Sequence, residues 1–96
     1  MHVIIARWRI APDQIDQVLA LVSEMAIHAR REPGCRQYTL NQSIDDPAIV
    51  VIYEQYDDEA AFQAHIATGA FQRIVVGQIV PLLAERSREV LRTFGD

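Results

Sequence analysis

A chain of 96 residues, half of them apolar and 23% charged, has material for one hydrophobic core. Its net charge of -4 lacks the clustered Lys and Arg that nucleic-acid binding calls for, and its single cysteine, Cys35, rules out an intramolecular disulfide, which suits a reducing cytoplasm. The apolar start MHVIIARWRI is broken by Arg7 and Arg9 and is too short for a signal segment or a membrane span, so one cytoplasmic domain over residues 1–96 is expected.

His2 to Ile10 reads as a strand whose Val3, Ile4, Ile5, Trp8 and Ile10 place apolar groups on both faces. A turn at APDQ follows, with Pro12 preset for helix entry and Asp13 able to cap. From Gln14 the residues Ile15, Val18, Leu19, Val22, Met25, Ala26 and Ala29 keep a helical period until REPG, where Pro33 stops the helix and Gly34 supplies the turn. Cys35 to Ser43 is a second strand of mixed polarity, and Ala48 to Tyr56 a third, rich in β-branched and aromatic residues. Asp57 or Asp58 then caps a helix on which Phe62, His65, Ile66 and Gly69 share one face. After a break at Gly69, a helical run from about Ala70 to Ala84 carries the stripe Phe71, Ile74, Val75, Gln78, Ile79 and Leu82, with Pro81 a kink or boundary. Glu85 to Phe94 closes as a fourth strand.

The order β-α-β-β-α-β is the ferredoxin-like α+β pattern, with both helices on one face of a four-stranded antiparallel sheet. Strands one and three are apolar on both faces, although a sheet with one wet face should alternate. The second face therefore calls for a cover, and a two-fold homodimer packed sheet to sheet supplies it.

Glu32, Gly34, Cys35 and Tyr38 in EPGCRQY, Glu54 and Tyr56 in YEQY, and Ala61, His65 and Thr68 in AFQAHIAT form a pattern that spans most of the chain. It resembles the antibiotic biosynthesis monooxygenase family of dimeric α+β barrels. The haem-degrading members of that family place Asn, Trp and His where this chain has Ala6, His65 and Val75, which speaks against haem degradation. Two other branches are similar to this chain. One oxygenates hydroquinones and polyphenols without metal or flavin; the other isomerises a phosphorylated hydroxy-dione derived from a bacterial quorum signal. Many members of both carry a second His two residues after the Thr, where this chain has Ala70, so a two-histidine mechanism does not carry over.

His65 has two readings: a packed histidine whose ring nitrogens are satisfied, or a general base and hydrogen-bond donor to a substrate oxygen. The family pattern favours the second, and His65 is the expected catalytic residue. Tyr38 and Tyr53 are candidate donors to the substrate, and Trp8 and Phe62 candidate walls; each is otherwise a core aromatic. Glu54 is read either as a structural partner of Arg7 or Arg36, or as a carboxylate orienting His65 or acting as an acid. Cys35 is read as packing. His2, His28 and His65 are far apart and no ligand spacing occurs, so neither metal nor other cofactor is expected. A glycine-rich phosphate loop is lacking, although an arginine such as Arg7, Arg36 or Arg73 would suffice for a phosphate.

The expectation is a homodimeric, cofactor-free oxygenase acting with dioxygen on a small hydroxylated aromatic, without nucleic-acid or membrane partners. The alternatives are the phospho-dione isomerase and a dimer that binds a small molecule without turning it over.

Overall fold

The computed structural model describes residues 1–95. β1 (His2–Ile10), β2 (Cys35–Gln42), β3 (Ile49–Tyr56) and β4 (Leu83–Arg92) form one antiparallel sheet in the order β2-β3-β1-β4. α1 (Ile15–Arg30) links β1 to β2, and α2 (Glu59–Ile66) and α3 (Phe71–Ile79) lie between β3 and β4. This is the ferredoxin-like arrangement expected from the order of elements.

The pairing decides the two faces. Ile4, Ala6, Trp8 and Ile10 alternate inward on β1, and the first three pair with Glu54, Ile52 and Val50 of β3. The main core joins Trp8, Ile10, Val50, Ile52 and Tyr38 to Val18, Val22, Met25, Ala26 and Ala29 of α1 and to Ile74, Val75 and Ile79 of α3. The apolar stripe of α1 is thus the face it buries. A smaller cluster of Ile4, Tyr56 and Phe62 anchors α2 at the other end. On the opposite face, Ile5, Val51 and Tyr53 belong to neither cluster and are only half-buried.

Local chemistry sets the helix ends. Asp58 is the residue that caps α2, its carboxylate accepting the Ala61 N–H at 2.9 Å. α2 ends at Ile66, so Gly69 is exposed, off the buried face where the helical period put it, and a Cβ there would meet nothing within 4 Å. The period fails because Thr68 starts a new helix: its hydroxyl accepts the Phe71 N–H at 3.1 Å. α3 is wound as a π-helix, so Gln78, on the expected stripe, is exposed. A single 3₁₀ turn over Val80–Leu82 follows, and Pro81 lies in it as a boundary. The helical run therefore stops short of Ala84, and β4 begins at Leu83 rather than Glu85 because Leu83 pairs with Ile10. β4 also ends at Arg92 rather than Phe94, which is 88% exposed.

Gly34 serves a close approach. A Cβ at this position would collide with the Cβ of Ala61, and its carbonyl accepts the Asp57 N–H at 2.9 Å. The turn after α1 is thereby pressed against the first turn of α2. That contact brings Glu32 to His65.

Candidate active site

The inner face of the sheet, α2 and α3 enclose a cavity of about 460 Å³, within the range of small-molecule sites. Ile4, Ala6, Trp8, Ile52, Phe62 and Phe71 make most of its lining apolar. Polar groups enter from Tyr38, Glu54, Gln72, Arg86 and Arg88.

The expected residues separate on this geometry. Trp8, Tyr38, Glu54 and Phe62 all line the cavity. Tyr53 does not: it pairs with Ile5 on the opposite sheet face, and its hydroxyl accepts from Gln55 at 2.9 Å. Strand parity is the reason, since Tyr53 and Glu54 must point to opposite sides. His65 is 1% exposed and stands one layer behind the lining.

His65 is ringed by aromatics, with centroids at 5.2 Å for Phe71, 5.3 Å for Tyr56, 5.7 Å for Tyr38 and 6.2 Å for Phe62. Its Nδ1 faces both Glu32 carboxylate oxygens at 2.9 and 3.0 Å, while Nε2 lies 3.8 Å from Glu54 Oε1. Burial pulls the imidazole down to about 4, so at neutral pH the ring is neutral, and opposite an ionised Glu32 its proton sits on Nδ1 and is donated to that carboxylate. Nε2 then presents a lone pair towards Glu54. The end of α2 is tied down at the same residue, where the Thr68 hydroxyl donates to the His65 backbone carbonyl at 2.8 Å.

Glu54 has neither of the arginine partners expected. Arg7 lies on the opposite sheet face, paired with Val51, and Arg36 is bound to Asp57. The Tyr56 hydroxyl instead donates to Glu54 Oε1 at 2.5 Å. Burial pushes the Glu54 carboxyl up to about 7, against the opposing pull of the Tyr56 hydrogen bond and the Arg88 charge. Glu32 is likewise raised to about 7 by burial. Two carboxyls near neutrality thus flank one neutral imidazole, an arrangement able to hold a proton or pass it on.

Tyr38 supplies a different group. Its hydroxyl has no protein partner among the described residues, yet no buried side-chain polar atom lacks one, so it opens on the cavity. Burial, with help from Glu54, pushes it well above its ordinary value, and it remains a donor. Cys35 is half-buried, donates to the Gln37 carbonyl at 3.6 Å and is pushed up to about 11 by burial, as a packing thiol would be.

Sequence reasoning matched Glu32 and Tyr56 to the family pattern without giving them roles. Arg86 and Arg88 it missed: they line the cavity because β4 pairs them with Trp8 and Ala6. A strand pairing is a long-range fact, and nothing local in LAERSREVLR marks those two arginines out. No three His, Cys, Asp or Glu side chains among the described residues converge as metal ligands would.

The pattern residues therefore sit together in space: Gly34 against Ala61, Glu32 and Thr68 on His65, and Tyr38, Glu54 and Tyr56 around its ring. Comparison with known proteins agrees. The chain is 31% identical over 75 residues to YcnE of Bacillus subtilis (strain 168), covering 78% of this chain and 79% of that one. The crystal structure of an antibiotic biosynthesis monooxygenase superposes with a TM-score of 0.93 at 32% identity, covering 99% of this chain and 100% of the other. The structure of Rv0793 from Mycobacterium tuberculosis superposes with a TM-score of 0.91 at 28% identity, over 99% and 96%. Residues 1–76 match the family model for antibiotic biosynthesis monooxygenase, and with the same residues gathered around one cavity the chain belongs to that family.

Proposed function

We propose that this monooxygenase-family chain oxygenates a quinol or related hydroxylated aromatic in the cavity, without a cofactor. The observation that carries this reading is Glu54, a buried carboxyl near neutrality on an apolar lining, backed by His65 and Glu32. Ground-state dioxygen takes electrons poorly from a neutral closed-shell molecule and far better from an electron-rich anion. Glu54 removes a phenolic proton, Tyr38 donates to the resulting oxyanion, and Trp8, Phe62 and Phe71 hold the ring away from water. The atoms balance without an external reductant. A quinol and dioxygen give a hydroxyquinone and water; one oxygen atom enters the ring, and the substrate supplies both electron pairs.

In this scheme Glu54 is the group that meets substrate, and His65 acts through it. The proton taken by Glu54 passes to Nε2 of His65, and the Nδ1 proton passes to Glu32, whose side chain is 17% exposed and reaches solvent. Oxygen uptake with a panel of hydroquinones in metal-free buffer tests the proposal. Uptake should be saturable and drop at least about tenfold in His65→Ala and further in Glu54→Gln. A rate equal to that without enzyme would sink it.

One observation supports the second reading, the isomerase of a phosphorylated hydroxy-dione. Arg86 and Arg88 on the cavity wall suit a phosphate, and Glu54 is as well placed to remove a proton α to a carbonyl. Solvent deuterium would then enter the substrate in the absence of oxygen.

The working form in this proposal is a homodimer in the cytoplasm. Its support is the outer sheet face, where Val3, Ile5, Val51 and Tyr53 gather outside either core cluster and Leu91 is 41% exposed. A monomer by light scattering at micromolar concentration would refute the dimer. No helix among the described residues is long and apolar enough to cross a membrane.

A further inference from the structure

We infer that the cavity selects substrates bearing an acidic substituent, a carboxylate or phosphate, which seats on Arg86 and Arg88. This rests on reading the cavity as the substrate site but not on which reaction follows. The two arginines alternate along β4 and pair with Trp8 and Ala6, so both stand on the inner face, and both line the cavity. Arg9, Arg30 and Arg36 each have a partner: Arg9 with Asp46, Arg30 with the Tyr38 carbonyl and Arg36 with Asp57. Among the described residues Arg86 and Arg88 have no ion pair. Arg88 is nevertheless held in place, its guanidinium carbon 5.2 Å from the centroid of the Phe62 ring.

The charge balance of the cavity is the reverse of that of the chain. The protein carries a net charge of -4, yet the lining holds two guanidinium groups against one carboxyl, Glu54, which burial draws towards neutrality. A neutral ring would displace water from these cations and return nothing for it. A carboxylate or phosphate returns paired, charge-assisted hydrogen bonds to the planar fork of each arginine. The seat also gives direction. β3 and β4 flank β1, so their backbones stand about 10 Å apart, and the side chains reach in from both. An acid held at β4 aims the far end of an aromatic ring at Tyr38 and Glu54 on the β3 side.

The test is binding without turnover, by titration calorimetry under anaerobic conditions. The probes are hydroquinone, 2,5-dihydroxybenzoate and 4-hydroxyphenyl phosphate. Trp8 is the sole tryptophan and lines the cavity, so a change in its emission reports that binding is there. The wild-type protein should bind both acids at least about tenfold more tightly than hydroquinone. The Arg86→Gln/Arg88→Gln variant, altered only at exposed positions, should lose that preference and bind the two acids no more tightly than it binds hydroquinone. The tighter of the two acids identifies carboxylate or phosphate as the natural group. Equal affinities in the wild type, a preference that survives the double substitution, or an equal loss for neutral and acidic ligands would each overturn the inference. The last result would assign the arginines to the phenolic oxygen instead. Acid preference without oxygen uptake would leave this inference standing and remove the oxygenase reading.

Discussion

Along the β3 side of the cavity, Glu54, Tyr56, His65 and Glu32 contact one another in sequence, and among the described residues no buried polar side-chain atom lacks a partner. Along the β4 side, Arg86 and Arg88 are exposed and have no ion-pair partner among the described residues. The first wall is built before any ligand arrives, and its protonation is set by burial. The second stays hydrated, with cations that a ligand can claim. Proton chemistry is served by the fixed wall, because burial is what holds these two carboxyls, Glu32 and Glu54, near pH 7. Recognition of a charge is better served by the open one, where the cations cost the fold little.

The sharpest way to break this contrast is to neutralise the buried wall. Glu54→Gln keeps an oxygen for the Tyr56 hydroxyl but removes the proposed base, so kcat should fall by about two to three orders of magnitude. In the wild type, kcat/KM should rise with pH through about 7, the value to which burial raises Glu54. A pH-independent residual rate in the variant would confirm the assignment, and an unchanged pH profile would remove it.

Truncating the middle of that wall should cost stability. His65→Ala leaves a cavity among four aromatic rings and strips Glu32 of its partner, for a loss of about 2–4 kcal/mol in urea denaturation. Loss of activity without loss of stability would show that the imidazole does not help to hold the site together.

The buried carboxyl has a pH signature. Its folded pKa lies above the unfolded value of 4.5, so the fold favours the protonated form and loses stability as pH rises from about 4.5 through 7. Glu54→Gln should therefore gain about 2–3 kcal/mol over the wild type between pH 4.5 and 8. His65 works in the opposite sense, with stability lost as pH falls from 6.5 towards 4, and this contribution is common to both proteins. A difference between them that does not vary with pH would contradict a buried, ionising Glu54.

Smaller effects probe the scaffold that brings the wall together. Gly34→Ala forces a methyl group onto Ala61 and should cost about 1–3 kcal/mol, recovered in part by Ala61→Gly in the same chain. Asp58→Ala removes the α2 cap and should lower stability by about 1 kcal/mol with kcat unchanged. A cap variant that also changed kcat would mean that α2 sets the chemistry more directly than its contacts indicate.

What could be read in advance follows the range of the physics. The stripe of α1, the cap at Asp58 and the apolar runs of β1 and β3 are local signals; α1, β1 and β3 stand within a residue of their expected bounds, and α2 starts at its expected cap. Gly69 and Gln78 left their expected faces because Thr68 restarts the helix and α3 is wound as a π-helix, so a 3.6-residue period could not follow them. His65 stood out as the lone polar residue on an apolar face. Its neighbours Glu32 and Glu54 lie 33 and 11 positions away in the chain, and only the approach of Gly34 to Ala61 and the register of β3 bring them within reach.

By itself, then, the sequence determined the order of elements, the apolar faces that must be buried and the family pattern, because propensity, period and capping act over a few residues. Tertiary structure alone decided that Glu54 faces the cavity while Tyr53 turns away, that His65 stands behind Glu54, and that two arginines of an edge strand complete the wall. Strand register converts a one-residue step into a change of sheet face, and burial converts an ordinary glutamate into one that titrates near neutrality.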